Sequence, residues 1–178
     1  MRKYILNRYL LGLIPVIILL AMTFLPLMTY FYGEEILLET KPIDPRDIFR
    51  GDYVYLSFDI NDVHIDLFPE ELKKPETFEQ YKNKKLYAVL KKQGDFYEVE
   101  RMSFEKPDHP YYLNAQIKFY SPLEKGYDDI QHVDYQIDRY FVPENTGKQL
   151  EELSQKGELA VKVKVRNGYP LLREVLPK

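Results

Sequence analysis

Apolar positions along this chain fall into two regimes: one long unbroken run, then a series of short alternating ones. From Tyr9 to Tyr32 no residue is charged, and most are Leu, Ile, Val, Met or Phe. A helix over those positions is roughly 36 Å long at about 1.5 Å per residue, enough to cross a hydrocarbon core of about 30 Å with some tilt. A cleaved signal peptide has a shorter apolar stretch and a small-x-small cleavage site, and the run offers neither. The pattern predicts an uncleaved transmembrane anchor over 9–32. Pro15 and Pro26 lie within it, where membrane helices tolerate proline. Arg2, Lys3 and Arg8 precede the span and Glu34 and Glu35 follow it. The positive-inside rule then makes residues 1–8 a cytoplasmic tail and 33–178 an extracytoplasmic domain of a single-pass cell-membrane protein.

Beyond Gly33 the period shortens to two, the signature of half-buried strands. Ile36 and Leu38 alternate weakly with their neighbours before Asp44-Pro45 marks a turn. A charged stretch from Arg46 then leads into a strand. On it Val54, Leu56, Phe58 and Ile60 share one face, and Tyr53, Tyr55, Ser57 and Asp59 share the other. Asn61-Asp62 breaks the alternation, and Val63, Ile65 and Leu67 resume it opposite His64 and Asp66. Residues 68–85 read as a loop with short helical turns around Leu72, Phe78 and Tyr81. Further strands are expected over 85–91, 95–104, 111–120 and 133–142, with Gln93-Gly94 turning the first pair. A helical stretch over 148–156 stops at Gly157. Leu159, Val161, Val163 and Val165 then alternate along a strand that Asn167-Gly168 folds back as a hairpin. The fold class is mainly β: a single N-terminal transmembrane helix, then an antiparallel β-rich domain with one or two short helices.

Charge and composition narrow the function. Three of the 25 basic residues precede the span, leaving 22 against 28 acidic residues after it, a net charge of −6. With Lys and Arg scattered among acidic neighbours, no basic face suits nucleic acid. The absence of cysteine removes disulfides, thiol nucleophiles and zinc–cysteine sites. Sixteen Tyr and ten Phe beside no Trp are explained by amphipathic rings on half-buried strand faces. A ligand platform is the sharper alternative.

The catalytic inventory is thin. None of the serines Ser57, Ser103, Ser121 and Ser154 sits in a Gly-x-Ser-x-Gly elbow, although Ser57 could approach His64 across a bend. His64-x-Asp66, with Asp59 or Asp62, offers metal ligands on a strand face, for which a solvated surface is the simpler account. No metal or cofactor is assigned. Asp44, Asp47, Asp52 and Asp59 could form an acid/base pair, with Arg46, Arg50 and Arg139 as charge partners.

Gly51-Asp52-Tyr53-Val54-Tyr55-Leu56-Ser57-Phe58-Asp59-Ile60 resembles the Gly-Asp-Tyr-x-x-Leu-x-Tyr-x-Ile signature of the GDYXXLXY proteins, with Phe58 where tyrosine is usual. Pro42 to Asp47 resembles that family's lead-in, and Tyr135 to Glu144, followed by Gly147, resembles its second block. The resemblance implies a bacterial, membrane-anchored extracytoplasmic protein acting beside multi-spanning membrane proteins. The positions it singles out, structural first and binding second, are Arg46, Asp47, Arg50, Gly51, Asp52, Tyr53, Tyr55, Asp59, Arg139, Tyr140 and Glu144. The leading expectation is a non-enzymatic accessory subunit. It would bind the lipid bilayer through residues 9–32 and a multi-spanning membrane protein as partner. The alternatives are an envelope hydrolase using the carboxylates near the Gly-Asp-Tyr motif, and a sensor of a small envelope ligand.

Overall fold

Strand β9 (Leu159–Arg166) shows how the alternating pattern builds the domain. Leu159, Val161, Val163 and Val165 are all at most 1% exposed, while Lys162, Lys164 and Arg166 on the other face keep contact with solvent. The computed structural model describes residues 2–42, 53–81, 84–117, 129–141, 152–154 and 156–178. The expected turn over 44–52, the Pro143–Gly147 loop and most of the 148–156 helix lie outside them.

Helix α1 (Arg2–Tyr32) continues through Pro15 and Pro26. Its part from Leu13 to Tyr32, twenty residues, is long and apolar enough to cross a membrane. Those side chains are exposed on all sides of the helix until the last turns. The remaining elements are β1 (Glu34–Glu39), β2 (Tyr53–Tyr55), β3 (Asp62–His64), α2 (Glu70–Lys73), α3 (Pro75–Tyr81), β4 (Leu86–Gln93), β5 (Phe96–Ser103), β6 (Tyr112–Ile117), β7 (Ile130–Asp134), β8 (Arg139–Phe141), β9, and β10 (Tyr169–Pro177). All strand pairs are antiparallel: a three-stranded sheet β1-β9-β10, a ladder β2-β8, and a five-stranded sheet β3-β7-β6-β4-β5. The chain is thus a mainly β domain carrying an N-terminal apolar helix and a few short helices, as the periodicity predicts.

One continuous core holds these layers together. Ile36 and Leu38 of β1, the inward face of β9, and Leu86, Ala88, Leu90, Leu113 and Val133 of the larger sheet all belong to it. Burying side chains of this size contributes about 1.5–3 kcal/mol each. In β4 the run Leu86 to Leu90 is buried on both faces, as expected for a continuous apolar stretch at the centre of a sheet. The β9–β10 hairpin stitches the two larger sheets together. Its Gly168 bridges to Leu113, and the Asn114 N–H donates to the Gly168 carbonyl at 2.8 Å.

Two expected strands are cut short. The signature strand ends at Tyr55, although Leu56, Phe58 and Ile60 are buried as the alternation requires. Asn61 is the cause: its Oδ1 accepts from the Phe58 N–H at 2.7 Å and its Nδ2 donates to the Val133 carbonyl at 2.8 Å. These bonds roll 59–61 into a 3-10 turn. A second such turn over 65–67 ends β3 at His64, so Asp66 lies beyond the strand. The expected strand over 133–142 is two strands, β7 and β8, in different sheets. Between them Gln136 takes φ +60°, a left-handed conformation that a side chain disfavours, and Tyr135 turns inward. Its buried hydroxyl donates to the Ile60 carbonyl at 2.8 Å.

Candidate functional site

The residues singled out from the sequence separate into three groups. Arg46, Asp47, Arg50, Gly51, Asp52 and Glu144, with Asp44, lie outside the described residues. A second group meets in the β2–β8 ladder, where Tyr53 pairs with Phe141, Val54 with Tyr140, and Tyr55 with Arg139. The two sequence blocks, nearly ninety positions apart, are therefore partners in one ladder. The Arg139 guanidinium lies 6.0 Å from the centre of the Tyr55 ring, at the outer limit of a cation–π contact. Its Nε is 3.9 Å from Asp138 Oδ1. Tyr140 is half-buried and packs on the core. The Leu56 N–H donates to the Asp138 carbonyl at 2.9 Å, extending this ladder by one bond. Together these contacts join the described parts of the signature and its second block in a two-stranded ladder packed beside the core.

Asp59 stands apart from that ladder, in a cleft of about 250 Å³ between the 59–61 turn, β3 and β5. Its polar wall comes from Glu39, Asp59, Asp62 and His64, and its apolar wall from Ile60, Phe96 and Val99. Burial pushes the Asp59 carboxyl above its ordinary range, and the adjacent Glu39 charge pushes the same way. Lys41 and Lys178 oppose the shift without cancelling it. A side-chain interaction with Glu39 adds a smaller upward contribution.

Asp62 behaves in the opposite sense. Burial raises it, but hydrogen bonds from Lys41 and His132, with their charges, outweigh that and hold it below the usual carboxylate range. Lys41 Nζ pairs with Asp62 Oδ2, and His132 Nδ1 lies 3.0 Å from Asp62 Oδ1. Lys178 Nζ donates to Glu39 Oε1 at 2.6 Å. His64 Nδ1 accepts from the Asp66 N–H at 3.3 Å and lies 3.2 Å from Asp66 Oδ2. Among the described residues no group of three His, Asp or Glu is arranged to hold a metal ion. The chemistry this arrangement supports is proton exchange at Asp59, whose carboxyl holds its proton to higher pH than usual.

Sequence reasoning identified Asp59, Asp62 and His64 but missed Glu39, Lys41 and Lys178. Glu39 and Lys41 look like ordinary strand-end charges, and Lys178 is 139 residues from the carboxylate it binds. Only the pairing of β1 with β9 and the return of β10 bring them together, and no local pattern signals that. Asn61, whose hydrogen bonds shape the 59–61 turn, carried a weak signal as a polar residue interrupting apolar alternation.

Neither the curated proteins nor the solved structures compared with this chain gave a match. The family model described as GDYXXLXY protein matches residues 15–175, from within the apolar helix to the last strand. That match takes in both halves of the β2–β8 ladder and the Asp59 cleft, and the chain belongs to the GDYXXLXY family.

Proposed function

We propose that this protein is a single-pass membrane subunit without catalytic activity of its own, whose β domain stands on the extracytoplasmic face and serves an integral membrane partner. The observation that carries this reading is the clamp between the anchor and the domain. Lys164 Nζ donates to the Tyr30 carbonyl at 2.9 Å, Arg173 lies 3.9 Å from the centre of the Tyr30 ring, and Arg166 lies 5.6 Å from that of Tyr32. Cations at a helix C-terminus also complement its dipole. Thr29 is fully buried at this junction, and Gly33 lets the chain turn so closely that a Cβ there would meet the Thr29 carbonyl at 2.5 Å. A soluble-substrate enzyme needs only a loose tether. A clamped one fixes the pose of the domain over a helix whose apolar sides are open to bilayer or protein. Affinity capture from membranes in several mild detergents tests the reading: a specific multi-spanning protein is expected to co-purify, and recovery of the chain alone in all of them contradicts it.

One observation supports a second reading, an envelope enzyme working through acid/base chemistry. A carboxyl with a raised pKa in a cleft with an apolar wall is a common functional signature. The neighbouring Glu39 is nonetheless already engaged by Lys178, whose Nζ donates to its Oε1 at 2.6 Å. Asp59→Asn would abolish such an activity while leaving partner capture intact.

A further inference from the structure

We propose that the cleft at the helix–domain junction binds the headgroup of a membrane lipid that carries both a phosphate and a primary ammonium group, the phosphoethanolamine class. The inference rests on the anchored reading above and concerns a site remote from the Asp59 cleft. The cleft measures about 380 Å³ and lies where Tyr32 ends the apolar helix. If Leu13 to Tyr32 spans the hydrocarbon, this is headgroup level, where tyrosines such as Tyr30 and Tyr32 belong.

The walls carry charge of both signs. Lys106 and Arg166 are cationic, and Glu34 and Asp108 are carboxylates. None of the four forms an ion pair with a described residue; the Arg166 guanidinium makes only its contact with the Tyr32 ring. His109 adds a donor, since its Nδ1 accepts from the Tyr111 N–H at 3.3 Å, which leaves the proton of the neutral ring on Nε2. Tyr112, only 3% exposed, forms part of the wall, and its buried hydroxyl has no hydrogen-bond partner. A buried hydroxyl left unpaired is uncommon and costly.

These groups sort by chemistry. Lys106, Arg166 and His109 suit phosphate oxygens through charge-assisted hydrogen bonds. Glu34 and Asp108 suit an ammonium group with N–H donors. A phosphoglycerol headgroup offers the cations the same phosphate but brings only neutral hydroxyls to the two carboxylates, leaving their charge uncompensated, and a phosphocholine group has no N–H to donate. Of the neighbouring cations, Lys164 is held by the Tyr30 carbonyl and Arg173 lies over the Tyr30 ring as Arg166 does over that of Tyr32, and of these three only Arg166 lines the cleft.

The test uses the full-length chain in nanodiscs of phosphocholine lipid. A minor fraction of phosphoethanolamine or phosphoglycerol lipid is added, and retained lipid is counted by native mass spectrometry after partial delipidation. Wild type is expected to retain the phosphoethanolamine lipid over the phosphoglycerol one by roughly tenfold. Lys106→Ala and Glu34→Gln, both at exposed positions, are each expected to cut that retention by about fivefold or more. Equal retention of the two lipids overturns the proposal, as does unchanged retention in both variants. Saturation by water-soluble phosphoethanolamine with no lipid retained overturns the membrane source. Resistance of the chain to alkaline extraction from membranes reports anchoring separately, so failure of the anchor and failure of the headgroup site are distinguishable.

Discussion

Asp59 and Asp62 sit three residues apart at the two ends of one tight turn, and their surroundings drive their acidities in opposite directions. For Asp59 the folded pKa lies above the unfolded value of about 3.9, so the native state binds the extra proton and stability falls as pH rises from there through the folded value. At neutral pH its charge is a net burden on the fold. For Asp62 the folded pKa lies below the unfolded one, so its contribution is present above about pH 4 and is lost as pH falls through the folded value. Asp59→Asn is therefore expected to leave stability at pH 7 equal or higher and to flatten the decline just above pH 4. Urea titrations of the detergent-solubilised chain at several pH values check this; a loss of stability at pH 7 would show that the charged form is favoured. Asp59 was visible in the sequence as a polar position opposite a buried face. Its raised pKa was not, because the burial that chiefly causes it, and the nearby Glu39, Lys41 and Lys178, arise only through the folding of distant strands.

Elements whose sequence pattern coincides with one-sided burial were legible. The β9–β10 hairpin is the clearest, with strict alternation along β9 and an Asn167-Gly168 turn in which both residues take positive φ, +51° and +76°. The signature strand and the 133–142 strand were read as too long for a common reason. Burial alternates across them as expected, but side-chain hydrogen bonds from Asn61 and Tyr135 bend the backbone out of the ladder. Periodicity reports which side chains go inward and is silent about where the ladder stops. Gly168 carries more than a turn. A Cβ there would stand 2.7 Å from the Tyr112 ring and 2.8 Å from Asn114 Oδ1, in a backbone conformation that already disfavours side chains. Gly168→Ala is expected to cost about 1–3 kcal/mol, read as a lower urea midpoint with an unchanged slope. A neutral result would mean that the hairpin tip can move away from β6, contrary to the stitching of the two sheets described above.

At the scale of the whole molecule, an apolar helix enters the domain through Gly33 and is held by Lys164, Arg166 and Arg173 of the β9–β10 hairpin. The same hairpin joins the three-stranded sheet to the five-stranded one. The pose of the apolar helix and the joining of the two sheets are thus set by one element. The apolar helix was legible because an uncharged run of that length is long enough to cross a membrane. The clamp was not, since its cations alternate on β9 as any solvated strand face would. The central claim is that this fixed geometry serves a protein partner in the bilayer. Ile17, Leu19, Leu20 and Met22 are each at least 60% exposed and point in different directions around α1 at about 100° per residue, so they sample its whole circumference. Photo-crosslinkers at these four positions, activated in native membranes, test the claim most directly. The account predicts one discrete adduct with a multi-spanning protein, formed from one side of the helix. Lipid adducts alone from all four positions would contradict it.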